Sequence, residues 1–481
     1  MTKINRIKTP RLLMVLALLA AQGLAPFAGQ RAAAQVKDQL ESIENRLERM
    51  EQSLRRIEGR GGAAGAQERS AASARSARAA QFRVPPTFRP RALTTTDSAT
   101  ESAPAGRREP DRDRDDLTDA EEAAIGTDPD SRDTDGDALW DGWEVHTIDG
   151  LDLRSLGASP LHKDIFVEMD FMRRASATHG LGPSDAVLRG IEAAFAAAPL
   201  PNPDGLSGVN IHLTMGDEVP YDDNLDPYDK EFAALRNKNF EPRRARAFHY
   251  MIWADTYTYR GNRTSSGISM DIPHSEFIVT LGSWNGNRGG TDIQKIGTFI
   301  HELGHNLGRM HGGSDHNNYK FNHLSVMNYT YQTRGILHNG TRVFGYQPFA
   351  LPSLDEGNLQ EADGLGRSPA LAGYSIIYGS TAAGPTDVPC HAEIDWNRNG
   401  SIDVGRIAFD LNGDTLLTEM FETPDEWSAL VFGGGVIGER FPVSGILERS
   451  SDLYDRLPVI ELTEEQDRLL ETRVQGAPAQ P

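Results

Sequence analysis

The stretch DIQKIGTFIHELGHNLGRMHGG, residues 292 to 313, is the part of the chain around which the rest must fold. Within it, His301 and His305 are four residues apart. An α-helix turns about 100° per residue, so the two imidazoles lie about 40° apart on one face and can share a metal ion. The apolar residues recur at three- and four-residue steps. They predict the buried side of the helix: Ile293, Ile296, Ile300, Leu303 and Leu307.

A third histidine, His311, can join the first two only if the helix ends before it. On a continuous helix it would lie roughly 9 Å beyond His305, whereas a Zn–N bond is about 2.0 to 2.1 Å. Gly308 is where the chain can turn back, because glycine adopts the left-handed conformation that commonly ends helices. We therefore predict a Zn²⁺ site formed by His301, His305 and His311, with one open position for water.

Glu302 directly follows the first predicted ligand. It lies about 100° further round the helix, so its carboxylate can reach a water on the metal without being a ligand itself. Zinc lowers the pKa of bound water to about 7 and polarises a carbonyl group. We expect Glu302 to act as general base and then to pass the proton to the leaving amine, which is the chemistry of a zinc hydrolase.

The motif HExxHxxGxxH, followed by SVMNY at residues 325 to 329, resembles the metzincin clan of zinc endopeptidases. The resemblance implies that Met327 forms a floor beneath the three histidines. It also implies that Tyr329 is a switchable zinc ligand that stabilises the tetrahedral intermediate; an ordinary packed loop tyrosine is the alternative. Gly312 departs from the better-known branches, glycine-aspartate repeats are absent and astacin-type disulfides are impossible, so the branch stays open.

Composition narrows the class of protein. With 481 residues and 38% hydrophobic content, the chain can hold two or three domains. Its net charge of −20 argues against a nucleic-acid partner, and the Asp-rich loops favour divalent cations instead. Cys390 is the single cysteine, so no intramolecular disulfide can form. We interpret Cys390 as a structural or incidental thiol.

Residues 1–34 have the pattern of a secretory signal peptide. Basic residues precede an apolar run from Leu12 to Ala21, and small residues follow it. An uncleaved anchor is the alternative, but Gln22 and Gly23 interrupt the run before it reaches about 18 residues. We expect a secreted protein, extracellular or at the cell surface, with no stable membrane span.

Two further segments precede the folded region. Residues 35–58 carry about three heptads and predict a short coiled coil, which would be a candidate for oligomerisation. A solitary amphipathic helix that docks on the domain is the alternative. Residues 59–110, rich in Gly, Ala, Ser, Arg and Pro, predict a disordered linker.

Residues 111–150 predict a calcium-binding repeat. Thr118 and Glu121 form a capping box, and Gly126 can end the short helix. The loop that follows resembles bacterial repeats related to thrombospondin type 3 repeats; an acidic solvated loop is the alternative. We expect Trp140 and Trp143 to pack the loop onto the next domain. The predicted Ca²⁺ ligands are at positions 1, 3, 5, 9 and 12 of the loop: Asp133, Asp135, Asp137, Asp141 and Glu144.

Residues 151–385 predict an α+β catalytic domain. A strand is expected at 164–172, a helix at 184–198, and further strands at 208–215, 249–257 and 276–284. The metzincin resemblance implies a twisted mixed sheet, an active-site helix and a Met-turn subdomain. It also implies that GISMD, residues 267–271, is an edge strand that pairs with an extended peptide substrate.

Residues 386–470 predict a C-terminal region with a candidate second calcium loop, followed by a tail at 471–481. The expected ligands are Asp395, Asn397, Asn399 and Asp403, with Gly400 at the sixth position. Arg406 occupies the twelfth position, where an acid belongs, and a plain Asx-rich turn is the alternative. Thr463 and Gln466 should cap the last helix. Other histidines, expected on the surface or in loops rather than as ligands, are His316, His323 and His338.

Together these patterns predict a secreted, zinc-dependent endopeptidase that acts on protein or peptide substrates, with Zn²⁺ for chemistry and Ca²⁺ for stability. The alternative is a calcium-dependent surface or adhesion protein that uses an inactive metzincin-like domain as a binding module. An intact Glu302 beside a complete ligand set favours the enzyme.

Overall fold

The structure is a computed structural model that describes residues 109–174, 181–259, 261, 263, 265–381, 384–412, 416–438 and 461–473. The chain divides into two units, 1–103 and 104–481, and all described residues belong to the second. The predicted signal peptide and coiled coil therefore lie outside the described residues. So does the predicted linker, except for its last two residues.

The described chain combines helices with a mixed sheet, which confirms the predicted α+β class. Two short helices precede the sheet, and the first of them has the expected capping box and ends at Gly126 in the left-handed conformation. The helices are α1 (Asp119–Ile125), α2 (Asp141–Val145), α3 (Asp185–Ala196), α4 (Tyr228–Asn239), α5 (Trp284–Asn287), α6 (Asp292–Asn306), α7 (Tyr329–Gln332) and α8 (Glu464–Arg473).

A five-stranded sheet forms the centre of this unit. Its strands are β1 (Asp164–Met172), β2 (Asn210–Val219), β3 (Phe248–Trp253), β4 (Gly267–Ser269) and β5 (Glu276–Val279). They lie in the order β2-β1-β3-β5-β4. The first four of these are mutually parallel, and β4 runs antiparallel to β5. The expected edge strand is therefore at the edge, with β5 on one side.

Both faces of the sheet are covered, as the alternating side chains of its strands require. On one face, Val167 and Met251 join the core formed with α3 and α6. On the other face, Phe166 and Tyr250 join a core that includes Phe232 of α4. The shared core therefore holds α6 in a fixed position against the sheet, which has β4 at its edge.

Helix α6 begins with a capping box, in which the Thr291 hydroxyl accepts from Gln294 N and Gln294 reaches back. Ile300, Leu303 and Leu307 are fully buried, as predicted. The prediction was wrong for Ile293, which is 52% exposed. Its turn of the helix projects beyond the core, whereas every residue from Gly297 to Asn306 is buried.

A second region follows α6 and α7. It contains an antiparallel sheet ordered β10-β9-β6-β7 and a two-stranded sheet of β8 and β11. The strands are β6 (Ile336–His338), β7 (Thr341–Val343), β8 (Leu354–Asp355), β9 (Tyr374–Thr381), β10 (Gly384–Pro389) and β11 (Glu419–Met420). Their shared core runs from Leu324 to Met420. The boundary expected at residue 385 therefore falls inside β10, within one packed region.

Cys390 belongs to this second core and is fully buried. Burial raises the pKa of its thiol to about 12. A thiol in this state packs as a small apolar group and is a poor nucleophile, which agrees with the interpretation of Cys390 as structural.

The segment predicted as a calcium-binding repeat, residues 111–150 and here called the acidic repeat, packs on the sheet through its aromatic residues. Trp140 and Trp143 stack with their ring centroids 4.6 Å apart, and Trp143 is 4% exposed within the core that also holds Phe248. The Arg246 guanidinium lies 4.4 Å from the Trp143 ring. The expected packing role of the two tryptophans is confirmed.

Across the described part of the chain, no helix combines the length and the apolarity that a membrane crossing requires.

Candidate metal centre

The three predicted histidine ligands converge on one point. His305 Nε2 lies 3.2 Å from His301 Nε2 and 3.1 Å from His311 Nε2. All three rings are buried. Four ligands at bond lengths of about 2.0 to 2.1 Å stand about 3.3 Å apart on a tetrahedron, so the three nitrogens have the spacing of three corners of a tetrahedral metal site.

The outer nitrogens of two of these rings fix which nitrogen faces the centre. His301 Nδ1 lies 2.8 Å from the carbonyl oxygen of Val326, and His305 Nδ1 lies 2.7 Å from that of Arg309. A carbonyl accepts only, so each Nδ1 carries the proton and each Nε2 presents a lone pair inward. Burial also lowers the pKa of His305 well below the ordinary imidazole value, and lowers that of His311. These rings are held in the neutral form that binds metal.

The chain reaches His311 by the turn expected at Gly308. Helix α6 ends at Asn306, and Gly308 has a φ of +81°, in the left-handed region. Arg309 N donates to the carbonyl oxygen of Gly304, which closes the helix end. The geometry that brings His311 back is therefore built into residues 304–309.

Glu302 lies between the histidines and the edge strand β4. Its side chain is fully buried, and neither carboxylate oxygen makes a hydrogen bond of normal geometry with a described residue. A Cβ placed on Gly267 would lie 2.6 Å from Glu302 Oε1, so only glycine fits on β4 at this point. Burial raises the pKa of Glu302 well above its usual range, and the charge of Glu461 raises it further.

Met327 and Tyr329 lie close to the three histidines, Met327 in the loop before α7 and Tyr329 as the first residue of α7. Met327 is fully buried, and its Sδ would lie 2.4 Å from a Cβ on Gly304, which is between the two helical ligands. The Tyr329 ring lies 4.7 Å from that of His311. Both residues thus border the three histidines.

The fourth corner of the site is taken by Glu461, which sequence reasoning missed. Its Oε2 lies 3.2 Å from both His301 Nε2 and His311 Nε2, and its Oε1 lies 3.6 Å from His305 Nε2. The Tyr329 hydroxyl donates to Glu461 Oε2 over 3.1 Å. Where the sequence predicted an open position, the described chain supplies a carboxylate. Its signal was absent from the sequence because Glu461 is 150 residues from His311.

The donor set fits Zn²⁺. Two Nε2 lone pairs that face each other across about 3.2 Å repel unless a cation lies between them, and three neutral imidazoles with a carboxylate are ligands that zinc prefers. The buried group His301, His305, His311 and Glu461 is one of several that could hold an ion.

The acidic repeat brings four of its five predicted ligands into two adjoining groups that share Asp137. One group is Asp133, Asp135 and Asp137; the other is Asp137, Glu144 and Asp164. Asp141 stands apart, because it accepts from Thr134 N and Thr134 Oγ1 at 2.9 and 2.6 Å. Asp164, the first residue of β1, was not predicted, since nothing in the loop spacing points to a residue outside it.

Repulsion and burial dominate this acidic group. Burial raises the pKa of Asp135 to about 8, and the charge of Asp133 adds to the rise. Burial also raises the pKa of Asp137 and of Glu144 well above the usual range. Both oxygens of Asp135 and of Glu144 are buried without hydrogen-bond partners among the described residues. Oxygen ligands in this state suit a Ca²⁺ ion.

A second acidic group lies directly before the first. Asp111, Asp113 and Asp115 cluster, and both buried oxygens of Glu122 lack hydrogen-bond partners within the described chain. Burial raises the pKa of Glu122 to about 7, and the charges of Asp113 and Asp115 add to the rise. DRDRDDLTDAEE (111–122) repeats the spacing of DTDGDALWDGWE (133–144). That repetition was readable in the sequence and was missed.

The two loops also agree in structure. The ninth residue of each bonds to the second: Asp119 accepts from Arg112 Nε over 3.0 Å, as Asp141 does from Thr134. Gly142 packs so closely on the first loop that an added Cβ would lie 2.0 Å from the Asp115 carbonyl oxygen. The acidic repeat is therefore a tandem pair of loops.

The loop at 395–403 closes on itself. Asn397 Nδ2 and Asn399 Nδ2 donate to Asp403 Oδ2 over 2.7 and 2.9 Å, and Gly400 N donates to Asp395 Oδ2 over 2.7 Å. The buried Glu361 accepts from Asp403 N over 2.7 Å, so its carboxylate ties the loop to the rest of this region. These four predicted residues are brought together, in the arrangement of an Asx-rich turn.

The remaining histidines differ from one another. His338 is half-buried and stacks on Tyr374 with the ring centroids 4.1 Å apart, and His316 is half-buried near His311. His323 was expected on the surface or in a loop; it lies in a loop, but it is fully buried and its Nε2 lies 3.0 Å from Glu426. Pairing with a buried carboxylate explains why a polar ring is tolerated there.

No protein-family model matches the chain, and no curated protein matches it.

Proposed function

We propose that this protein is a secreted zinc endopeptidase of the metzincin type. One observation carries the proposal: three buried imidazole Nε2 atoms converge at tetrahedral spacing beside Glu302, whose carboxylate has no hydrogen bond of normal geometry among the described residues. A buried, unpartnered carboxylate is costly to keep unless it has a task.

The substrate class follows from the position of β4. Glu302 packs on Gly267 of this edge strand, so a chain that pairs with β4 runs past the catalytic carboxylate. Pairing of this kind uses backbone groups and therefore accepts an extended peptide without requiring a particular sequence. Proteins or peptides in an extended conformation are the proposed substrates.

Each residue then has a defined task. His301, His305 and His311 would hold Zn²⁺, which when bound supplies Lewis acidity and lowers the pKa of water. Glu302 accepts the proton of the attacking water and delivers it to the leaving nitrogen, and its raised pKa brings it closer to the range in which a carboxyl group can do both. Tyr329, within 3.1 Å of the fourth corner, donates a hydrogen bond to the oxygen that develops charge there.

The acidic loops are proposed to hold Ca²⁺ as a structural ion. The supporting observation is the set of buried, unpartnered oxygens on Asp135, Glu144 and Glu122. The loop at 395–403 is a weaker candidate, because its asparagine amides point their N–H groups at Asp403.

Glu302→Ala tests the enzyme proposal. In a protein that also carries Glu461→Ala, so that the fourth corner is free, turnover of a denatured protein substrate should fall by about 10³-fold or more on adding Glu302→Ala. Zinc content and the unfolding temperature should stay at the level of the Glu461→Ala parent, because Glu302 is a base and not a ligand. Glu465→Gln, an exposed glutamate on α8, is the matched control and should change neither quantity.

The second candidate is a calcium-dependent surface or adhesion protein with an inactive metzincin-like domain. The carboxylate of Glu461 at the fourth corner favours it, because closed four-ligand zinc sites are usually structural. If the wild type, the Glu302→Ala variant and every form with Glu461 replaced are equally inert, this second reading is the better one.

A further inference from the structure

The C-terminal segment Glu461–Arg473, here called the C-terminal strap, packs against the metal centre. Leu462 is fully buried in the core that contains α6. The Leu462 carbonyl oxygen accepts from Ser266 N over 2.8 Å, and Thr463 forms an antiparallel bridge with Ser265. The strap therefore pairs with the residues directly before β4, on the edge proposed for the substrate.

A second set of contacts holds the helix of the strap in place. Asp467 is 5% exposed and accepts from Thr333 Oγ1 over 2.6 Å and from Gln294 Nε2 over 3.0 Å. Arg334 Nη1 lies 3.0 Å from Asp467 Oδ1. These partners come from α6 and from the residues just after α7, so the strap is tied to the elements that bear the ligands.

These contacts place Glu461 beside the three histidines. It is 3% exposed, and its Oε2 is 3.2 Å from two of the three Nε2 atoms, close to the separation of about 3.3 Å between zinc ligands on a tetrahedron. The hydroxyl of Tyr329 also donates to it. Glu461 thus occupies the corner that a water or a substrate oxygen would need.

We propose that Glu461 is a fourth, displaceable metal ligand, and that the C-terminal strap keeps the enzyme latent by occupying the substrate edge. The ligand assignment stands on the geometry alone, whereas latency rests on the proposed peptidase function. Activation then requires the strap to leave, so that Glu461 gives up its corner and the edge before β4 is freed.

Charge accounts for why the strap can be both held and released. A divalent cation balances the two carboxylates Glu302 and Glu461, which makes the closed site neutral. A competing ligand that brings its own negative charge preserves this balance when it takes the place of Glu461. An anionic or chelating ligand can therefore replace Glu461 without loss of the three imidazoles.

The experiment compares the full-length wild type with Glu461→Gln, Glu461→Ala and the control Glu465→Gln. Each is loaded with Co²⁺ in place of zinc, and the d–d absorption spectrum reports the ligand set. Each is then titrated with acetohydroxamate, a small bidentate metal ligand, by following the same spectrum. Peptide cleavage is measured separately on the zinc forms.

If Glu461 fills the corner for nine-tenths of the time or more, the apparent acetohydroxamate affinity of the wild type is reduced at least about tenfold. The two Glu461 variants should therefore bind it at least about tenfold more tightly and show an altered Co²⁺ spectrum. Glu465→Gln should match the wild type. Asp467→Asn, which weakens the anchoring of the strap, should move the affinity part of the way.

Two results would overturn the proposal. One is equal acetohydroxamate affinity and identical spectra in all metal-loaded forms, because Glu461 would then not be a ligand. The other is loss of metal in both Glu461 variants with no gain in acetohydroxamate affinity, which means a closed structural site. If the affinity rises as expected and no form cleaves peptides, the ligand assignment holds and the peptidase function fails.

Discussion

The histidine centre (His301, His305 and His311 with Glu461) and the acidic repeat both bring together side chains that could bind a metal ion. The two groups are assembled in opposite ways. In the histidine centre the three imidazoles are neutral, and two of them already donate their outer N–H to the carbonyl oxygens of Val326 and Arg309. In the acidic repeat the ligands are like charges, and Asp135 and Glu144 are buried with no partner for their oxygens among the described residues.

This difference in ligand charge predicts different roles for the proposed Zn²⁺ and the proposed Ca²⁺. Neutral imidazoles repel one another less than buried carboxylates do, and backbone carbonyls orient two of the three, so the proposed Zn²⁺ would add chemistry to a site whose ligands the fold already positions. Buried carboxylates repel one another unless a cation or protons neutralise them, so the proposed Ca²⁺ would contribute directly to the free energy of folding. We therefore expect the fold to tolerate zinc removal better than calcium removal.

The largest effect should come from breaking the histidine centre itself. His305→Ala removes the middle ligand, so we expect zinc to be lost, and we expect the peptide turnover of the Glu461→Ala form to fall by about 10³-fold or more when His305→Ala is added. Zinc content by atomic absorption and peptide hydrolysis measure this. A variant that keeps its full zinc content would show that the three imidazoles do not share the ion.

The acidic repeat should respond to pH in the absence of metal. Burial raises the pKa of Asp135 to about 8, while an unfolded aspartate titrates near 4, so the folded state binds more protons between these values. The free energy of unfolding of metal-free protein should therefore fall as the pH rises from 5 to 8. Thermal unfolding of protein stripped of both metals tests this.

Calcium added back alone should remove that loss. At a concentration about 100-fold above its Kd, Ca²⁺ should raise the unfolding temperature at pH 8 by about 5 to 10 °C. A metal-free protein that is equally stable at pH 5 and pH 8, with no response to Ca²⁺, would contradict the comparison.

Asp137→Asn should have opposite effects on the unfolding temperature in the absence and in the presence of Ca²⁺. Asp137 belongs to both acidic groups, so its neutralisation should relieve repulsion and raise the metal-free unfolding temperature at pH 8 by about 2 to 4 °C. The same variant should lose most of the stabilisation by calcium. Asp152→Asn, at an exposed position, is the control for the charge change.

The smallest effect is expected beneath the histidines. Met327→Leu conserves volume in a fully buried position against Gly304, so it should cost less than about 1.5 kcal/mol of unfolding free energy and leave zinc bound. Denaturant unfolding together with zinc analysis measures both. Loss of zinc would mean that the methionine does more than fill space.

Much of the histidine centre was predictable because its rules are local. The positions of His301, Glu302 and His305 follow from the helical repeat, and the turn to His311 follows from the left-handed conformation of Gly308. The same holds for the capping boxes that begin α1 and α6 and for the strand at Asp164–Met172. The first acidic loop was equally local, since it repeats the spacing of the second.

Residues contributed from distant parts of the chain could not be predicted in this way. Packing between separate elements places each of them: Glu461 at the fourth corner, Asp164 beside the acidic repeat and Glu361 against the loop at 395–403. Helical and strand periodicity carries no information about such contacts. The exposure of Ile293 was misjudged for the same reason, because packing between separate elements decides how far along α6 the core extends.

By itself the sequence determined which atoms can bind a metal, because backbone geometry sets the angles between neighbouring side chains. Only the tertiary structure decided whether the fourth corner of that site is open. That answer depends on where the C-terminal strap docks, and docking is governed by the burial of Leu462 and the contacts of Asp467 rather than by any local pattern.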